Sequence, residues 1–178
     1  MNEEKYISVD IETTGLIIGE DNIASIGACI VGNTKDNFYI ELQPFTDKYR
    51  QKSVDVCGLT IEYLKENGVD QKYAMKKFAE WIDKHGRCVF VGFNAPFDYG
   101  FTNQYFLKYD LSNPFGINGL DMKGYYMGMM GCDWSETTKK KLLPAFKPTK
   151  RHTHNALDDA IEQAEIFEQM LTYRKTML

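Results

Sequence analysis

A chain of 178 residues with 43% hydrophobic and 26% charged side chains suggests a single folded domain spanning residues 1–178, and no apolar run is long enough to cross a bilayer. Four scattered cysteines without a CxxC pair are too sparse for a disulfide scaffold, and the acidic start Met1-Asn2-Glu3-Glu4 does not look like a signal peptide, so reduced thiols in a cytoplasmic protein are the expectation. The net charge of −4 does not mark a nucleic-acid binder, so the local distribution of charge has to decide that.

Tyr6 to Val9 is a short apolar run rich in β formers. Ile23 to Val31 and Asn37 to Leu42 are two further strands, separated by the turn-like Gly32-Asn33-Thr34. Short links between the three suggest an antiparallel meander. Thr60 can cap a short helix through Leu64. Ala74, Phe78, Trp81 and Ile82 recur at helical spacing, with Gly86 as a stop. Cys88 to Phe93 reads as a buried strand, Phe97 to Lys108 as a helix, and Gly119 to Met122 as the last strand. Asn155 to Leu171 is the clearest helix, with Ala156, Ala160, Ile161, Ala164 and Leu171 on or near one face. Strands first, then alternating helix and strand, suggest an α/β fold: a mixed sheet with helices on both sides. In Met122 to Met130 the glycines argue against a stable helix, leaving a mobile wall, a dimer contact or plain core.

Asp10 and Glu12 stand two apart at the end of the first strand, so both side chains leave one face. Neighbouring carboxylates repel, and hard divalent cations relieve that. A solvated strand end has the same pattern, so the pair alone does not establish a metal site. Thr13-Thr14-Gly15 then breaks the strand, and Gly15 would allow close approach of the backbone to a ligand. Asp98 falls in the first turn of the helix after Pro96, where negative charge is favoured whether or not it has a further role. The third cluster is His154-Asn155-Ala156-Leu157-Asp158-Asp159. Asn155 can cap the helix, Asp159 adjoins the apolar face and so needs a partner or a metal, and Asp158 points elsewhere, toward solvent.

Together these clusters resemble the DEDDh exonucleases. The first motif of that family is matched by Asp10-Ile11-Glu12-Thr13-Thr14-Gly15, the second by Asn94-Ala95-Pro96-Phe97-Asp98, and the third by His154 through Asp159, in the family's order over nearly the whole chain. The resemblance implies a ribonuclease H-like fold and a hydrolase that removes nucleotides from the 3′ ends of single-stranded RNA or DNA as nucleoside 5′-monophosphates. It implies Asp10, Glu12, Asp98 and Asp159 as acidic ligands of two divalent cations, Mg²⁺ or Mn²⁺, and His154 as general base. Two such ions about 4 Å apart can activate the attacking water and stabilise the leaving oxygen. Substrate contacts are expected at Thr13, Thr14, Gly15, Asn94 and, by family analogy, at Leu16 and Phe97 in a terminal-nucleotide pocket, where core packing is the competing role. Phe93 stands where the family often has His; it either ends a buried strand or stacks on a base. Several relatives are homodimers, so self-association is a further expectation.

Residues 139 to 151 hold Lys139, Lys140, Lys141, Lys147, Lys150 and Arg151, six of the chain's 21 basic residues, and lead directly to His154. An acidic protein with an acidic site needs such a patch to attract a polyanion, although a solvated lysine run looks the same. Pro144 and Pro148 predict a loop for part of it. Two other readings fit the same residues: a nucleic-acid-binding module without activity on a nuclease fold, or a phosphodiesterase acting on dinucleotides and very short oligonucleotides.

Overall fold

A computed structural model of the chain describes residues 4–177. A five-stranded sheet has the order β3-β2-β1-β4-β5, built from β1 (Lys5–Thr13), β2 (Ile23–Ile30), β3 (Asn33–Glu41), β4 (Cys88–Gly92) and β5 (Gly119–Asp121). β1, β2 and β3 form an antiparallel meander, whereas β4 pairs parallel to β1 and β5 parallel to β4. This is the expected mixed, ribonuclease H-like sheet. The first hairpin is tighter than expected: Val31 and Gly32 alone make the turn, with Gly32 at φ 84, and β3 already begins at Asn33. β1 runs on through Thr13, with a register shift between Glu12 and Thr13 before the chain leaves the sheet.

Alternation along β1 divides the molecule into two layers. Ile7, Val9 and Ile11 join Ile26, Ala28, Phe78, Phe90, Phe101 and Phe106 in one core, beneath α3 (Gln71–Asp83) and α4 (Ala95–Lys108). Each phenylalanine buried there contributes about 1.5–3 kcal/mol of transfer free energy. Ser8, Asp10 and Glu12 face the opposite side, which is covered by α7 (Ala156–Met177). That layer has its own core of Val91, Met122, Tyr126, Leu142, Phe146, Ile166, Phe167 and Met170.

The remaining α-helices are α1 (Gln51–Cys57), α2 (Ile61–Asn67), α5 (Met122–Met130) and α6 (Lys139–Leu142), with one 3-10 turn at Trp134–Glu136. Thr60 caps α2, accepting from the N–H of Tyr63 at 3.1 Å. The segment Met122–Met130 is helical, contrary to the expectation from its glycines. Asp121 caps it by accepting from Gly124 N–H at 2.8 Å, and Met122 and Tyr126, one turn apart, are both buried. A glycine in a helix costs about 1 kcal/mol, and burial of two large side chains outweighs two of them.

α7 lies unusually close to the sheet at its start. Ala156, Ala160 and Ala164 repeat at four-residue spacing and are fully buried, and Cys29 Sγ lies 3.5 Å from the carbonyl oxygen of Ala160. Gly27, the register partner of Asp10, faces the first turn: a Cβ there would collide with the backbone of Ala156 and Leu157. This close approach brings the acidic start of α7 down onto β1.

Candidate active site

Asp10 and Glu12 occupy the α7-facing side of β1, and Asp159 enters from the first turns of α7. Carboxylate oxygens of these three residues all lie within 4.8 Å of one another. Asp98 reaches the same region from the first turn of α4. Pairing between β1 and β4 ends at Ser8 and Val91, so the edge of β1 beyond it has no strand neighbour, and Asp98 Oδ1 accepts the N–H of Ile11 at 3.1 Å. The site therefore opens where β1 parts from β4, at the carboxyl end of the parallel strands, a position where α/β sheets commonly place ligands.

The electrostatics are those of crowded, buried acids. Burial and then the charges of Asp98, Glu12 and Asp159 push Asp10 well above the ordinary carboxylate range, with Lys139 opposing. Burial, followed by Asp159 and Asp98, raises Glu12 to about 8. Burial raises Asp98 to about 7, partly offset by the Ile11 N–H. A set of converging oxygens held at such electrostatic cost fits hard divalent cations and would not suit a thiolate- or imidazole-seeking metal.

Asp159 is fully buried and is held by the chain just before its own helix. Its Oδ1 accepts from Thr153 N–H at 2.8 Å and its Oδ2 from His154 N–H at 3.0 Å. His154 has a left-handed backbone, φ 59, and an exposed side chain. Asn155 caps α7 as expected, its Oδ1 accepting from Leu157 and Asp158 N–H. Asp158 does turn away from the acids, but it pairs with Lys150 at 2.7 Å and is not simply solvated.

A cavity of about 370 Å³ adjoins Glu12. Leu16 and Phe97 line it together with Thr13, Arg50, Lys52 and Val56. Other candidates for substrate contact sit elsewhere. The Thr14 hydroxyl is buried and accepts from the backbone N–H of Asn22 at 3.0 Å. The room left by the missing side chain of Gly15 is filled by the carboxylate of Asp21. Phe93 packs against the α7-side core, while Asn94 is exposed, with a left-handed backbone at φ 73 at the start of α4. In the basic segment, α6 gives way to a loop after Leu142, as the prolines required. Lys150 is occupied by Asp158, whereas Lys147 and Arg151 form no ion pair among the described residues.

Four neighbours of the site have no signature in the motifs. Gln163 donates from Nε2 to Asp10 Oδ1 at 2.6 Å and accepts from Phe93 N–H at 2.8 Å. His152 Nδ1 lies 2.9 Å from Asp159 Oδ2. Burial and then Lys139 lower the pKa of His152, with Asp159 opposing. Lys139 pairs with buried Glu162 and lies 3.1 Å from His152 Nδ1. The signal available for Gln163 was its position four residues after Asp159, on the same face of α7 as Ala156 and Ala160.

A ribonuclease H-like sheet that gathers four acids from three separate elements, with a histidine before the last of them, defines a nuclease of the DEDDh type. The chain belongs to the RNase_T exonuclease family, which matches residues 7–167, and is a 3′-5′ exonuclease that by its family uses divalent metal ions. It is 39% identical over 170 residues to the 3′-5′ DNA exonuclease Cap18 of Escherichia coli, a match covering 93% of this chain and 91% of that protein. It is 33% identical over 113 residues to the PolC-type DNA polymerase III of Bacillus subtilis, covering 61% of this chain but only 7% of the polymerase. In fold it is similar to the nuclease domain of 3′hExo, a DEDDh family member solved with rAMP, at TM-score 0.78 and 18% identity, covering 95% of this chain and 92% of that one. Escherichia coli exonuclease I in complex with a dT13 oligonucleotide gives TM-score 0.78 at 16% identity, covering 98% of this chain and 42% of that one.

Proposed function

We propose that the chain acts as one exonuclease domain on the 3′ ends of single-stranded DNA, releasing nucleoside 5′-monophosphates, with Mg²⁺ or Mn²⁺ bound by Asp10, Glu12, Asp98 and Asp159. The observation that carries this reading is the convergence of Asp10, Glu12 and Asp159 within 4.8 Å beside a cavity large enough for one nucleotide. DNA as substrate is supported by the likeness to Cap18, a 3′-5′ DNA exonuclease, and by the dT13 complex of exonuclease I.

Bound there, divalent ions supply Lewis-acid stabilisation of the phosphoryl oxygens and of the leaving oxygen. The residues of the chain do the rest. The apolar side chains of Leu16, Val56 and Phe97 take the terminal nucleotide and exclude water from one side of it, while Arg50 and Lys52 offset the charge of Glu12 toward an incoming polyanion. His154 accepts the proton of the attacking water. Its ring is exposed at the surface of the site, edge-on to the ring of His152 with the centroids 4.3 Å apart, and imidazole is the side chain most often used for such proton transfer. Asp159 fixes the backbone on which that ring is carried.

The test uses DNA and RNA oligonucleotides of several lengths, labelled at the 5′ end, with Mg²⁺, Mn²⁺ or a chelator. A ladder shortening stepwise from the 3′ end, faster on DNA and absent in chelator, is the expected result. Activity undiminished in chelator, or mononucleotides released from the 5′ end, would overturn the reading.

A further inference from the structure

We infer that Gln163 is a positioning residue for the reaction, one that fixes the Asp10 carboxylate and ties it to the connection that delivers Asp98. The inference rests on the reading of Asp10 as a metal ligand.

Gln163 is 2% exposed, and burying a primary amide is unfavourable unless both of its ends are satisfied. Here both are, and by partners of opposite kind. Ionised, as a metal ligand must be, the Asp10 carboxylate can only accept and takes the amide N–H; the backbone N–H of Phe93 can only donate and is taken by the amide oxygen. A flipped amide would set oxygen against oxygen and hydrogen against hydrogen, so the side chain has one orientation. A single side chain on α7 thereby joins β1 to the β4–α4 connection. Phe93 is followed by Asn94 in its left-handed backbone and, five residues on from Phe93, by Asp98.

The strength of these bonds suits the role. An N–H donated to a charged carboxylate contributes more than a neutral hydrogen bond, and partners of metal-ligating groups hold them in one rotamer against mutual repulsion. Asp10 needs such a partner because three acids converge on it. Glu12 on its own strand, Asp98 from α4 and Asp159 from α7 press on it with like charge, and Lys139 opposes them. Without Gln163 the carboxylate is free to rotate away from the others, and the Phe93 N–H loses its acceptor.

Gln163→Met keeps the length and volume of the side chain and removes both bonds. The measurement is binding of Mn²⁺ alone to otherwise metal-free protein, followed by electron paramagnetic resonance of the free ion, beside kcat, KM and the metal-free Tm. The expected result is Mn²⁺ affinity and kcat each lowered about 10–100-fold, the size typical of outer partners of metal ligands. KM for the oligonucleotide should stay close to that of the parent, while the metal-free Tm should fall because the Phe93 N–H is left without its acceptor. A merely structural glutamine would lower Tm but leave Mn²⁺ affinity and kcat alone, and that result overturns the inference. If Q163M does not fold, Q163N, which keeps the amide but is one methylene too short to reach both partners, should show the same loss. A parent protein that binds no Mn²⁺ overturns the metal reading, and this inference with it.

Discussion

The backbone N–H of Ile11 donates to Asp98 Oδ1 across 3.1 Å, so an acid on a helix completes the hydrogen bonding of a strand edge that β4 leaves open. Charge and acceptor can be separated at this position. Asp98→Asn keeps an acceptor for Ile11 and removes one of the repelling charges, so the metal-free Tm should rise while turnover falls by more than about tenfold. Asp98→Ala loses the bond as well and should fall in both. Thermal unfolding in chelator, set beside turnover with Mg²⁺, checks the pair; an Asp98→Asn protein less stable than the parent would contradict it.

The pH dependence of stability follows from the same acids. Burial and neighbouring carboxylates raise Glu12 to about 8, and burial raises Asp98 to about 7. In the unfolded chain such groups titrate near 4, so the folded state holds the protons more tightly. Their contribution is then fully present at low pH and is lost as pH rises through these two values. Metal-free protein should lose Tm between about pH 5 and 8, and added Mg²⁺ should restore more at the alkaline end. A calorimetric series in chelator would show this directly, and a Tm climbing over that span would refute it.

His154→Ala should lower turnover by about 10²–10⁴-fold, the range for losing a general base. Binding of Mn²⁺ should survive, because Asp159 accepts the backbone N–H of residue 154 and not its ring. Near-normal turnover at neutral pH would remove His154 from the role. His152, 2.9 Å from Asp159, would then be the ring to examine.

Substrate attraction divides between two groups of cations. Lys147 and Arg151 form no ion pair among the described residues, while Lys150 is held by Asp158. Reversing Lys147 and Arg151 to Glu should raise KM and flatten its salt dependence, and Lys150→Glu should do so less. Arg50→Glu with Lys52→Glu, beside the cavity, should raise KM more steeply still. Turnover at saturating substrate should change little in each case, because these groups bind ground and transition states alike. KM across a salt series is the measurement, and curves that superimpose on the parent's would show the cations to be solvated surface.

The strands and long helices were legible because their apolar periods are strong, although β3 begins at Asn33 where Asn37 was expected and α7 runs to Met177 where Leu171 was expected. The short helices α1, α5 and α6 were not. In α1 only Val54 is buried and no side chain caps the start, so seven residues carry almost no pattern. In α5 the glycines outweigh, locally, a helix that Asp121 and burial against α7 impose from outside. The acidic set was legible for a different reason: motif spacing marks residues that chemistry needs at defined places. Gln163, His152 and Lys139 carry ordinary polar side chains. Only folding, which sets Gln163 beside a residue 153 positions away, shows what they touch. Arg50 and Lys52 were missed along with α1, whose first turn they begin.

Gly27 makes contact with none of the four acids by side chain, yet the space above it is what lets Ala156, and with it Asp159, descend to Asp10. A methyl group there forces α7 outward, and such overpacking costs about 1–3 kcal/mol, which a cooperative domain can survive. A protein carrying Gly27→Ala would thus still read as a complete nuclease by its motifs and still melt as a folded one, while the acids no longer met. Intact motifs in a chain of this kind attest to the ligands. Whether the ligands converge is decided at an inconspicuous glycine on the neighbouring strand.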